Sequence, residues 1–129
     1  MSYSFYLVLH ILGITLVLLA LGGLGLHAIN GGTRETNKAR GLVAATHGVG
    51  MLLILVAGFG MLPKLGLSLG KAAWVHPKLL IWLLLGGAMT ILYRKPNSGK
   101  LMWILIPVLV GLSGYLAIVK PFGAAGSVQ

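Results

Sequence analysis

Four long hydrophobic runs, separated by short polar segments, constrain this chain more than any other feature of its sequence. The runs cover about residues 4–29, 42–62, 77–93 and 101–119. Each is close to the ~20 apolar residues that cross a bilayer core as a helix. Because 57% of the residues are hydrophobic and only 9% are charged, the chain is too apolar for a soluble domain. The sequence predicts an all-α integral membrane protein in which residues 1–129 form a single transmembrane domain.

The connections between the runs predict how the helices are arranged. Short connections make consecutive helices antiparallel neighbours, so we expect an up-down-up-down four-helix bundle. The first and third connections hold six lysines and arginines, namely Arg34, Lys38, Arg40, Arg94, Lys95 and Lys100. The opposite side holds four, namely Lys64, Lys71, Lys78 and Lys120. The positive-inside rule then predicts both termini outside the cell.

The charged residues also limit the classes of partner. Ten lysines and arginines face a single acid, Glu35. In a soluble protein this balance would suggest nucleic acid, but here every basic residue lies in a connection or at the end of a run. We therefore expect membrane lipid headgroups or cofactor carboxylates as partners, and no nucleic acid. One acid allows no carboxylate pair, and the absence of cysteine excludes disulfides and iron-sulfur clusters.

Two histidines mark the ends of one predicted seam in the first helix. Steps of three and four residues join the members of this seam, which are His10, Gly13, Val17, Ala20, Leu24 and His27. Such spacing places side chains on one face of a packed helix. An imidazole in so apolar a segment costs free energy unless it finds a partner, so ionisable residues here indicate a functional site.

The four histidines of the chain sort into two layers when their depth is estimated from the helical rise. His10 with His76 forms an outer pair, and His27 with His47 forms an inner pair. Two imidazoles from facing helices are typical axial ligands of a six-coordinate, electron-transferring haem b. We therefore predict one or two haem b groups with iron ligands, in order of preference, His10, His76, His47 and His27. Quinone or another redox partner would exchange electrons with them.

Haem carboxylates need cations near the membrane surface. Lys78, Lys64 or Lys71 is available to the outer layer, and Arg34, Arg40 or Arg94 to the inner layer, with Lys38 and Lys95 beside them. Lys78 has alternative roles: its amine could extend to the membrane interface, bind iron or donate a proton. Glycines at 48, 50, 58 and 60 in the second run allow close helix contact or leave room for a flat ligand.

Purely structural roles remain open for three of the histidines. His76 precedes Pro77 and is a candidate N-cap. His27 lies close to a loop, where it would face lipid headgroups or solvent. His47 lies within its helix, where hydrogen bonding to a neighbouring carbonyl is the alternative to binding a cofactor.

Two short stretches carry a resemblance to a known group of proteins. They are Leu9-His10-Ile11-Leu12 in the first run and the segment from Trp74 to Gly86 at the start of the third. The pattern resembles small bacterial four-helix membrane proteins, namely the SirB-like proteins, the HemJ-type protoporphyrinogen oxidases and the CopD copper-resistance domains. In the HemJ type, a first-helix histidine and a third-helix lysine preceded by tryptophan are associated with haem b. The resemblance implies that His10 and Lys78 bind haem and that the chain lies in a bacterial inner membrane.

The sequence leaves the reaction open. The HemJ-type Pro-Arg-Leu run after the first helix has no counterpart here, so the resemblance implies haem more than a particular enzymatic activity. One alternative is a metal-handling or transport module in which histidines and methionines pass copper. Another is an accessory structural subunit whose histidines only hydrogen-bond between helices. Bound copper without a haem spectrum would indicate the first, and no cofactor at all the second.

Overall fold

The computed structural model describes residues 2–120 and consists of four long helices. These are α1 (Tyr3–Ile29), α2 (Arg40–Lys64), α3 (Val75–Arg94) and α4 (Gly99–Val119), with a single 3-10 turn, Pro96–Ser98, leading into α4. Residues 2–120 contain no strand. The all-α prediction is confirmed, and the helix bounds differ from the hydrophobic runs by at most two residues at either end.

All four helices are long and apolar enough to cross a membrane. Large apolar side chains cover the outside of the bundle, among them Leu19, Leu52, Leu83 and Ile118. An apolar surface on every side is unfavourable in water and is what lipid requires. The surface therefore agrees with the predicted fold class, an integral membrane bundle.

The closest helix pair is α1 with α2, and glycines make the contact possible. A Cβ atom added to Gly13 would lie 2.8 Å from the carbonyl oxygen of Gly50, and one added to Gly50 would lie 2.8 Å from that of Gly13. The two backbones thus meet without side chains between them, as small residues allow in membrane helices. The predicted seam of α1 lies at this face and in the core, because Val17, Ala20 and Leu24 are buried.

Contacts at both ends of the bundle show that consecutive helices are antiparallel. At the first end, where α1 and α3 begin, Gly60 of α2 packs against the ring of Tyr6. At the second end, where α1 and α3 finish, the side-chain amide of Asn37 donates a hydrogen bond to the Tyr93 hydroxyl over 3.0 Å. Gly99 at the start of α4 packs against Ile29 there. The up-down-up-down arrangement is confirmed.

Among the helix pairs that are in contact, α2 and α3 make the least close approach. Two hydrogen bonds from side chains to backbone bridge the gap: His47 Nε2 donates to the carbonyl of Leu85 over 3.0 Å, and Trp82 Nε1 donates to that of Met51 over 3.0 Å. Large side chains thus hold the two helices apart where glycines let α1 and α2 touch. This separation leaves space inside the first half of the bundle.

Candidate functional site

A cavity of about 450 Å³ occupies the first half of the bundle, and all four helices line it. Most of its wall is aliphatic. The side chains with polar atoms on the wall include His10, Trp74, Lys78, Trp82, Ser113 and Lys120. This combination of size, apolar lining and a few polar groups is typical of small-molecule and cofactor sites, which measure ~300–1,000 Å³.

His10 enters the cavity wall from α1 and is held by α2. Its Nδ1 lies 2.9 Å from the carbonyl oxygen of Ile54. A Cβ atom on Gly58, one turn further along α2, would lie 3.3 Å from His10 Cε1, so glycine leaves the room that this ring position needs. Close packing of α1 on α2 fixes the ring, because the carbonyl that binds it belongs to a helix in direct contact.

The hydrogen bond of His10 determines which ring nitrogen carries the proton. A carbonyl oxygen only accepts hydrogen bonds, so Nδ1 must be the donor. In the neutral imidazole, Nε2 is then unprotonated and keeps its lone pair. No other residue in 2–120 makes a hydrogen bond to Nε2. Histidines that bind metals commonly have this arrangement, with the second nitrogen donating to a carbonyl.

Two lysines and a tryptophan form a cluster where the cavity reaches the first end of the bundle, and we call this end of the cavity its mouth. The Lys78 amine lies 5.7 Å from the centroid of the Trp74 ring, and the Lys120 amine lies 5.3 Å from it. Both distances allow a cation–π interaction. Lys120 also donates a hydrogen bond of 2.7 Å to the carbonyl of Ala117, within the last turn of α4. We call Trp74, Lys78 and Lys120 the mouth cluster.

His47 is the one buried histidine among the described residues, with 6% of its surface exposed. It does not line the cavity with His10. Its Nε2 donates to Leu85, which corresponds to the carbonyl-bonded alternative considered from the sequence. The proton on Nε2 leaves Nδ1 as the nitrogen with the lone pair. A role of His47 as an iron ligand stays a prediction.

His27 and His76 lie at opposite ends of the bundle and bind loop carbonyls. His27 Nε2 lies 2.8 Å from the carbonyl oxygen of Thr33, in the connection that follows α1. His76 is exposed, and its Nε2 lies 3.2 Å from the carbonyl oxygen of Leu69, in the connection before α3. Neither ring lines the cavity. Each bond ties a loop to the start or end of a helix, and ligation by either ring stays a prediction.

The predicted inner-layer arginines are exposed at the second end of the bundle. Arg34 and Arg40 belong to the first connection and to the start of α2, and Arg94 ends α3. None of them lines the cavity. Their assignment to cofactor carboxylates stays a prediction that concerns the inner layer alone.

Sequence reasoning did not find Ile54 or the pairing of Lys120 with Trp74. The partner of His10 is a backbone carbonyl, which has no sequence signal. The sequence gives Lys120 a place only among the loop charges, because nothing in it indicates that the end of α4 meets the start of α3. The sequence does indicate the rest of this cluster, because Trp74 lies just before α3 and Lys78 lies inside its first turn.

The donor set restricts what the site can bind. No three side chains of His, Cys, Asp or Glu in residues 2–120 come together in a way that could hold a metal ion. A haem iron needs fewer protein ligands, because the porphyrin supplies four nitrogens and the protein only axial ones. One imidazole with a free lone pair, an apolar cavity and two amines at its mouth fit such a group.

No protein-family model, curated protein or solved structure matches the chain.

Proposed function

We propose that this protein binds haem b in the cavity, with His10 as an iron ligand, and transfers electrons within the bilayer. The observation that carries the proposal is the hydrogen bond from His10 Nδ1 to the carbonyl of Ile54, at the cavity wall. This bond keeps the lone pair on Nε2 and holds the ring in place. Bound haem would supply one-electron chemistry between ferric and ferrous iron.

The rest of the cavity supports the same proposal. Its aliphatic wall suits the apolar face of a porphyrin, and Trp82 offers an aromatic surface beside it. Lys78 and Lys120 lie at the mouth, where carboxylates of the group would reach polar surroundings. His10 lies on the wall of the same cavity as both lysines, so one molecule of porphyrin size is able to meet all three side chains.

The place of the protein in the cell belongs to the proposal as well. We propose a bacterial inner membrane, with the connection between α1 and α2 and that between α3 and α4 in the cytoplasm and both termini outside. Six positive charges against four support this orientation. The partners would then be membrane lipid and a quinone or another redox partner that reaches the bundle through the bilayer.

The test is the visible spectrum of the detergent-purified protein, oxidised and then reduced with dithionite, with haem measured per chain. We expect a Soret band and a sharp reduced α band from the wild type, and their loss in His10→Ala. Thr15→Ala is the matched control, because it changes an exposed polar side chain of the same helix that does not line the cavity. A His10→Ala protein with full haem content would contradict the proposal.

The amount of haem decides between one occupied site and the predicted pair of layers. About one haem per chain would mean that only the cavity with His10 is occupied. Two haems, of which His47→Ala removes one, would establish the inner layer. A wild type that stays colourless after expression with added haem would favour the accessory role, in which the four rings serve only as hydrogen-bond donors between parts of the chain.

A further inference from the structure

The mouth cluster brings two positive charges to one indole, far from any acidic side chain. Lys78 and Lys120 approach the Trp74 ring within 5.7 and 5.3 Å. The single acidic side chain of the sequence, Glu35, lies in the connection at the second end of the bundle. Two positive charges on the same ring repel each other, and the low dielectric of a partly buried site strengthens the repulsion. A bound anion would remove this cost.

Trp74 provides a second and independent indication of a ligand. Its side chain is 6% exposed, and its Nε1 is a buried donor without a hydrogen-bond partner among residues 2–120. A buried N–H group that stays unpaired costs free energy, and indole nitrogens usually find an acceptor. Trp74 lines the cavity together with both lysines. A ligand in the cavity therefore meets the residue that carries the unpaired donor as well as both lysines.

The remainder of the cavity indicates what kind of anion fits. Its wall beyond the mouth is aliphatic and aromatic, and phosphate or another small inorganic ion would leave that space unfilled. An anionic group attached to a large apolar body would fill both parts. Each amine has three donors, and the bond from Lys120 to Ala117 uses one of them, so donors remain for the two oxygens of a carboxylate.

We infer that the mouth cluster is a carboxylate site, and that it orients an apolar carboxylic acid with its acid group at the mouth and its body in the cavity. The inference rests on the proposed function for the choice of a porphyrin as occupant, but the carboxylate chemistry does not depend on iron. A porphyrin carboxylate and a fatty acid share this chemistry, and the experiment has an arm for each.

Iron-free protoporphyrin IX separates the carboxylate site from the iron ligand. Its affinity for the full chain in a non-ionic detergent is measured by porphyrin fluorescence, next to the affinity of its dimethyl ester, which lacks the charges. We expect Lys78→Gln and Lys120→Gln each to weaken binding of the diacid about tenfold, the size of one lost charge-assisted hydrogen bond. Trp74→Phe removes the indole donor and should weaken it less. Binding of the diester should change less than about twofold in all three variants, which also shows that they fold.

The matched control is Lys71→Gln. Lys71 lies at the same end of the bundle, in the connection between α2 and α3, but does not line the cavity. This variant should bind the diacid as the wild type does. Equal diacid affinity in wild type, Lys78→Gln and Lys120→Gln would overturn the inference, and so would an equal loss for diacid and diester.

A competition with oleate distinguishes the two sources of the carboxylate. Displacement of protoporphyrin by oleate, weakened in Lys120→Gln, would assign the site to fatty acids as well. Oleate without effect would restrict it to the porphyrin. The outcome is also separable from the proposed function: equal protoporphyrin affinity in wild type and both lysine variants, with haem still bound, would end the inference and leave haem binding intact. Lysine-dependent oleate binding by a chain that binds no haem would support the carboxylate site and contradict the proposed haem binding.

Discussion

At the scale of single residues, His47 and Trp82 form a reciprocal pair of hydrogen bonds between α2 and α3. His47 on α2 donates to Leu85 of α3, and Trp82 on α3 donates to Met51 of α2. Both donors are satisfied inside an apolar bundle, where an unpaired N–H group is costly. The reciprocal pair keeps α2 and α3 at a fixed separation, and the cavity depends on that separation.

The substitution His47→Ala removes one of these two bonds. We expect it to lower the free energy of unfolding by about 1 kcal/mol, the usual range for a hydrogen bond between membrane helices. Unfolding by SDS, followed by tryptophan fluorescence, measures the difference. His76→Ala is the control, since it removes an exposed ring that binds a loop carbonyl, and it should change stability less. If both variants lost the same free energy of unfolding, the hydrogen bond from His47 to Leu85 would not stabilise the packing of α2 on α3.

The candidate site could be predicted from the sequence only in part, and the reason is visible at this scale. His10 is a candidate because an imidazole in an apolar seam needs a partner, and Lys78 because haem carboxylates need cations and because the HemJ-type resemblance implies this lysine. The partner itself, the carbonyl of Ile54, carries no side-chain signal. Lys120 could not be predicted as a site residue from the sequence, because its contact with Trp74 depends on which helix ends are neighbours in space.

At the scale of helices, the sequence was informative about periodicity and less so about which glycines matter. The seam from Gly13 to Leu24 is buried as its spacing predicts. Of the glycines in α2, Gly50 meets α1 and Gly60 meets Tyr6, but a Cβ atom on Gly48 would have nothing within 4 Å. Composition alone does not separate these cases, because the direction in which each glycine points depends on the rotation of α2 against α1.

The contact of α1 with α2 gives a sharp test at this scale. Gly13→Ala places a methyl group 2.8 Å from the backbone oxygen of Gly50 and 2.8 Å from the nitrogen of Ile54, so the helices must move apart. Forcing extra atoms into such packing should cost about 1–3 kcal/mol. The shift should also disturb the bond from His10 to Ile54 and lower the haem content.

The control for this variant is Gly23→Ala in the same helix, where the added methyl group meets nothing within 4 Å. Its stability against SDS should stay at the wild-type value or rise slightly, because alanine favours a helix more than glycine does. If Gly13→Ala were as stable as Gly23→Ala, the backbones would not be in contact as described.

At the scale of the whole molecule, the two ends of the bundle differ in what they hold. The first end carries the cavity mouth with Trp74, Lys78 and Lys120, and the second carries loop arginines and Glu35. An electron carrier with its carboxylate site at one surface would exchange electrons mainly on that side. The orientation of the chain therefore decides which compartment the mouth faces, and the charge count of six against four predicts that it faces outside.

The absence of cysteine makes this orientation directly measurable. Asn97→Cys, in the exposed connection before α4, and Ser68→Cys, in the exposed connection before α3, put one thiol at each end of the bundle. In intact bacterial cells, a membrane-impermeant maleimide should label Ser68→Cys and spare Asn97→Cys, while both should react after the cells are opened. The reversed pattern would place the cavity mouth in the cytoplasm. Labelling of both thiols in intact cells would indicate that the chain inserts in both orientations. In that case a difference of two positive charges between the two sides would be too small to fix one orientation.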